Sequence, residues 1–117
     1  MRTRLAVLTA LLTLPIPMVA GTSPFDVRVS PRQARAPADV LICVIVEPDA
    51  SNRGLAVEIE SSNYYSSSSA ELDGESARRV NDFAFRGLPV GEYEVRVTLY
   101  DDAGRTRDTR TRVVSIV

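Results

Sequence analysis

Gly87-Leu88-Pro89-Val90-Gly91-Glu92-Tyr93-Glu94-Val95-Arg96-Val97 is the stretch whose reading decides the fold. A Pro/Gly turn leads into strict alternation: Tyr93, Val95 and Val97 point one way, Glu92, Glu94 and Arg96 the other. Period two over that length predicts a half-buried β-strand. A tyrosine at the start of such a strand packs its ring inside a sandwich and returns its hydroxyl to nearby backbone.

The same punctuation recurs along the chain. Phe25, Val27 and Val29 alternate with Asp26, Arg28 and Ser30, which predicts a first strand. Pro31 to Pro37 reads as a connector. Asp39 to Glu47 (DVLICVIVE) is almost wholly apolar, the pattern of a central strand covered on both faces. Pro48 to Gly54 is a turn, and Leu55, Val57 and Ile59 then alternate with Ala56, Glu58 and Glu60. Ser61 to Ser76 is serine-rich and short of core residues. It predicts a weak edge strand around Tyr64–Ser67, then a loop, and the most mobile part of the domain. Phe83 and Phe85 mark one more strand before Tyr93, and Arg107 to Val117 the last. The expected core is Val40, Ile42, Val44, Val46, Leu55, Val57, Ile59, Phe83, Phe85, Tyr93, Val95 and Val97.

Asp101-Asp102-Ala103-Gly104 joins the last two strands. A three-residue loop, Asp102 to Gly104, fits a type I turn closed by glycine at positive φ. Counting back from it sets Tyr93 opposite Val113, Val95 opposite Thr111, Glu94 opposite Arg112 and Arg96 opposite Arg110. Past Val113 the alternation is ambiguous, and a bulge there would switch faces.

The N-terminus has a different character. Arg2 and Arg4 precede an apolar run, Leu5 to Val19, broken by Pro15 and Pro17 before Ala20 and Gly21. This is the pattern of a secretory signal peptide over 1–21. The competing reading is an N-terminal membrane anchor, but the run is short for a span and carries two prolines. The expectation is one exported domain over 22–117, secreted, periplasmic or on the cell surface, with no membrane span after cleavage. Loss of Arg2 and Arg4 takes the formal net charge from −1 to −3. All 14 basic residues are arginine and form no basic run, so no nucleic-acid partner is expected.

The chain has no histidine and no tryptophan. Without imidazole, a serine or cysteine nucleophile lacks its ordinary base, and zinc its commonest nitrogen ligand. No carboxylates are placed as an obvious acid/base pair. The expectations are no enzyme, no cofactor and no metal site. Asp101, Asp102 and Asp108 are too few for calcium, which takes six to eight oxygens. Arg96, Arg110 and Arg112 fall on one outward face, but Glu92 and Glu94 interleave with them, giving a mixed solvated surface rather than an anion site. Cys43 is the single cysteine. It reads as a small buried hydrophobe, reduced and slow to react.

The block Phe83-x-Phe85-x-Gly87-Leu88-Pro89-x-Gly91-x-Tyr93-x-Val95-x-Val97 resembles the closing strands of carboxypeptidase-regulatory-like (prealbumin-like) domains. The turn Asp101 to Gly104 looks like that of bacterial immunoglobulin-like repeats on surface proteins. Both resemblances imply an all-β, seven-stranded antiparallel Greek-key sandwich of immunoglobulin-like type. In disulfide-bearing immunoglobulin domains a cysteine follows the corner tyrosine by two residues; here that position is Val95. Such sandwiches carry many roles. The expected function is an exported non-catalytic module acting by binding or assembly, with a protein or cell-surface glycan as partner. The alternative is a carbohydrate-binding module using Tyr64 and Tyr65, the two candidate contact residues; their competing reading is an edge strand with one tyrosine turned in and one out. Oligomeric state is left open.

Overall fold

The computed structural model describes residues 25–117, so the expected leader over 1–21 lies outside the described residues. The strands are β1 Phe25–Ser30, β2 Gln33–Ala34, β3 Ala38–Val46, β4 Gly54–Ser61, β5 Tyr64–Glu71, β6 Val80–Leu88, β7 Gly91–Tyr100 and β8 Thr106–Ile116. One 3-10 turn, Gly74–Ser76, joins β5 to β6. The strands form two sheets, one ordered β1-β3-β6 and the other β2-β8-β7-β4-β5. The chain crosses between sheets from β1 to β2, β2 to β3, β3 to β4, β5 to β6 and β6 to β7, which gives the Greek-key sandwich.

All twelve residues of the expected core are buried. Phe25, Val27, Ala38, Leu72, Leu88, Leu99, Val114 and Ile116 join them. Burial of each large side chain is worth roughly 1.5–3 kcal/mol, so a single cluster of this size can hold a domain without a disulfide. Tyr93 is buried, and its hydroxyl donates to the Pro89 carbonyl at 2.6 Å, as a corner tyrosine should. Removal from water pushes its phenol pKa up.

Four expectations are corrected. The strands number eight, because the connector contains β2, which runs parallel to β8. Two residues are too short to show a period. The strand is held by backbone bonds, with Ala34 and Ala36 packed against the edge of the core: Ser115 N–H donates to Arg32 C=O at 2.9 Å, Val117 N–H to Ala34 C=O at 2.8 Å and Ala36 N–H to Val117 C=O at 2.7 Å. Secondly, β5 is not confined to Tyr64–Ser67; eight residues pair in register with β4. Ladder hydrogen bonds do not need apolar side chains, and Leu72 just beyond is drawn into the core.

Thirdly, β3 is covered on one face only. Ala38, Val40, Ile42, Val44 and Val46 are buried, whereas Leu41 is 44% exposed and Cys43 and Ile45 are half-buried. Cys43 is therefore not a core residue. Its thiol pKa is pushed up first by partial burial and then by a hydrogen bond to Asp82.

The fourth correction is the β7–β8 register. The turn forms as expected: Gly104 has φ +78°, and its N–H donates to Asp101 C=O at 3.1 Å. Tyr100 then pairs with Thr106 but Leu99 with Asp108, so Arg107 is an extra residue in β8. This bulge moves every later pair by one. Tyr93 faces Val114, Glu94 faces Val113 and Val95 faces Arg112. The bulge lies next to the turn, not beyond Val113. Its cause is visible. Arg107 Nη1 donates to the side-chain oxygen of Asn52, a buried polar residue whose amide in turn donates to Glu47 C=O at 2.9 Å.

Candidate functional site

Tyr64 and Tyr65 open β5 and, as neighbours in a strand, point to opposite faces. Tyr64 turns inward. Its ring meets that of Tyr93 edge-on, with centroids 5.8 Å apart and planes at 74°. Tyr65 lies on the outer face, 57% exposed. Its hydroxyl donates to Glu58 Oε2 at 2.8 Å, and this bond to a carboxylate raises the phenol pKa. The two rings therefore form no coplanar platform.

The outer face of the five-stranded sheet follows from its registers. Tyr65 pairs with Glu60, which pairs with Glu94; Ser67 pairs with Glu58, which pairs with Arg96. Arg96 donates to Glu94 at 2.6 Å and to Glu58 at 3.5 Å. Tyr65, Glu58, Arg96 and Glu94 thus form one chain of contacts on a flat surface. Glu58 was legible only as a wet-face residue. Its link to Tyr65 depends on β4–β5 pairing, for which the serine run gives no register signal.

Among the described residues β5 pairs with β4 on one side only, and β6 with β3 only. Each presents an edge with unpaired backbone groups. The edge of β5 carries Ser66, Ser67, Ser68 and Ser69, beside exposed Tyr65.

The expected arginine face does not form. Arg96 is outward, but the bulge sets Arg110 opposite Val97 and Arg112 opposite Val95, both inward. Arg110 stacks over the Phe25 ring at 5.1 Å and pairs with Asp108 at 2.8 Å. Arg112 Nε donates to Val27 C=O at 3.0 Å, and its Nη2 reaches Asp26 at 3.2 Å. The turn aspartate is also engaged. Asp101 Oδ1 accepts from Ala103 N–H and Arg105 N–H, both at 2.9 Å, which holds its carboxyl below the usual range. Among the described residues no group of three or more His, Cys, Asp or Glu side chains is placed to hold a metal ion. Among them, too, no helix is long and apolar enough to cross a membrane.

No protein-family model matches this chain, and no curated protein does. Solved structures do. The superoxide reductase (neelaredoxin) from Ignicoccus hospitalis superposes with a TM-score of 0.64 at 10% identity, over 81% of each chain. A family 76 glycoside hydrolase from a bovine Bacteroides thetaiotaomicron strain gives 0.55 at 14% identity, over 77% of this chain but 19% of the hydrolase. The PKD domain of an M14-like peptidase from a Thermoplasmatales archaeon gives 0.54 at 16% identity, over 79% of this chain and 91% of that domain. At such identities the likeness concerns the fold. It corrects the expectation of no enzyme: a superoxide reductase shares this sandwich, so the architecture does not set catalysis aside. With its two sheets, its Greek-key crossovers and its likeness to the PKD domain, the chain is an immunoglobulin-like β-sandwich module.

Proposed function

We propose that this module is exported and works by binding a protein partner, at the cell surface or in the periplasm, through β5 and the outer face beside it. One observation carries the reading. An eight-residue edge strand has one side of its backbone unpaired among the described residues, and an exposed tyrosine at its end joins an acid–arginine network. An extended partner segment can add to such an edge through main-chain hydrogen bonds. Tyr65 supplies rigid amphipathic contact area at small entropy cost. A sugar fits less well, because Tyr64 and Tyr65 face opposite ways and offer no two-ring stacking surface.

The test is site-specific cross-linking in the cells that make the protein. A photo-reactive amino acid at Ser67, on the outer face of β5, should give a discrete protein adduct, and one at Gln33, on β2 at the opposite end of the sheet, should not. Tyr65→Ala should leave the melting temperature within a few degrees and weaken that adduct. Tyr64→Ala should lower the melting temperature, because it removes the ring against Tyr93. Equal cross-linking from both positions, or an adduct indifferent to Tyr65→Ala, rejects the reading.

A further inference from the structure

The outer face of the three-stranded sheet is the apolar surface the fold leaves uncovered. Its side chains lie in three rows across β1, β3 and β6. These are Asp26–Ile45–Val80, Arg28–Cys43–Asp82 and Ser30–Leu41–Ala84. Leu41 and Val80 are 44% and 50% exposed, and Ala84 is exposed too. A continuous apolar strip on a monomer's surface marks an interaction site.

The charges on this face identify what fits it. At its two ends they are matched within the chain: Arg79 with Glu47 at 2.6 Å, and Arg86 with Asp39 at 3.9 Å. In the central row only the cation is matched: Arg28, largely exposed, pairs with Asp26 of its own strand at 3.6 Å. Asp82, across Cys43 from it, bonds to the Cys43 thiol, and among the described residues no arginine forms an ion pair with it. A cation and an anion flanking an apolar centre are self-complementary under a two-fold axis running along β3. That rotation lays the β1 side of one copy over the β6 side of the other. A two-fold axis across the strands would instead stack Arg28 on Arg28. Sheets pack face to face at about 10 Å with strands within about 30° of alignment, which this arrangement satisfies.

We propose that this face takes a second copy of the chain. Leu41, Cys43 and Ile45 meet their own counterparts along the axis, and Arg28 of each copy pairs with Asp82 of the partner subunit. Such an isologous contact closes on itself as a dimer. It uses the sheet opposite β5 and does not depend on the partner proposed there.

Sedimentation of the purified protein over a range of concentrations, with reductant present, tests the idea. The wild type should dimerise reversibly. Arg28→Asp and Asp82→Arg each place like charges at two symmetric contacts and should each raise the dimer Kd roughly tenfold. Mixed one to one, these two variants should form a heterodimer near the wild-type Kd, because every central contact is again between opposite charges. Leu41→Arg should weaken the wild-type dimer independently of that exchange. A wild type that stays monomeric, a dimer unchanged by Leu41→Arg, or a mixture no tighter than either variant alone overturns the proposal.

Discussion

Along one side of the sandwich β1 lies against β8, and two arginines from β8 point inward to join the sheets. Along the other, β5 and β6 each end a sheet, with no further strand beside them among the described residues. The closed side is held by directional groups. The Arg112 guanidinium reaches a carbonyl and a carboxylate of β1, Arg110 lies on Phe25, and β2 extends the sheet past β8. The open side has serine side chains and unpaired backbone. An inward charge at a sheet margin is one way to keep strands of other chains from adding there. The same protein therefore bridges one margin between its sheets with arginines, and the strand proposed for binding lies at the other.

Breaking the closed side should cost most. Phe25→Ala removes a fully buried ring and the surface beneath Arg110, and should destabilise the domain by about 3–5 kcal/mol in urea unfolding. Arg112→Ala should cost about 1.5–3 kcal/mol, since it leaves the Val27 carbonyl without its charged donor and Asp26 with Arg28 alone. A loss below about 0.5 kcal/mol would mean that the seam is closed by packing alone.

Gly104→Val probes the turn that launches β8. It should cost more than about 1 kcal/mol, because φ +78° resists a β-branched residue. Open space surrounds the added atoms, so the cost is conformational rather than a clash. On the open side, Ser68→Lys should change stability by less than about 0.5 kcal/mol while weakening partner binding, as a charge at an edge does. If it instead unfolds the domain, β5 is structural and the contrast between the two sides fails.

The smallest effect is in acid. Asp101 has its pKa lowered in the fold, chiefly by the Arg105 backbone N–H. A depressed carboxyl contributes stability above its unfolded value, and that contribution is lost as pH falls through the folded one. The melting temperature should drop below about pH 4, and Asp101→Asn should flatten part of that drop. An identical acid profile in the variant would show that other carboxylates account for it.

The inner faces of β3, β4, β6 and β7 were legible because alternation is local and one face of each strand is buried. Tyr93 and Gly104 were legible because one hydroxyl and one positive φ each have a short-range reason. Cys43 was not. An apolar run reads the same whether its second face is covered by the protein or left bare. The candidate site was half legible. The two tyrosines stand out by composition, but their division into one inward and one outward ring follows from pairing with β4.

The all-β class, the twelve expected core residues and the turn at Gly104 were fixed by the chain's own pattern, since alternation and turn chemistry are read a few residues at a time. Tertiary structure alone decided β2, the full length of β5 and the inward turn of Arg110 and Arg112. β2 exists through backbone bonds to a strand some eighty residues away. The arginines turn inward because Arg107 leaves the ladder to reach buried Asn52, and a one-residue shift in a strand exchanges its faces.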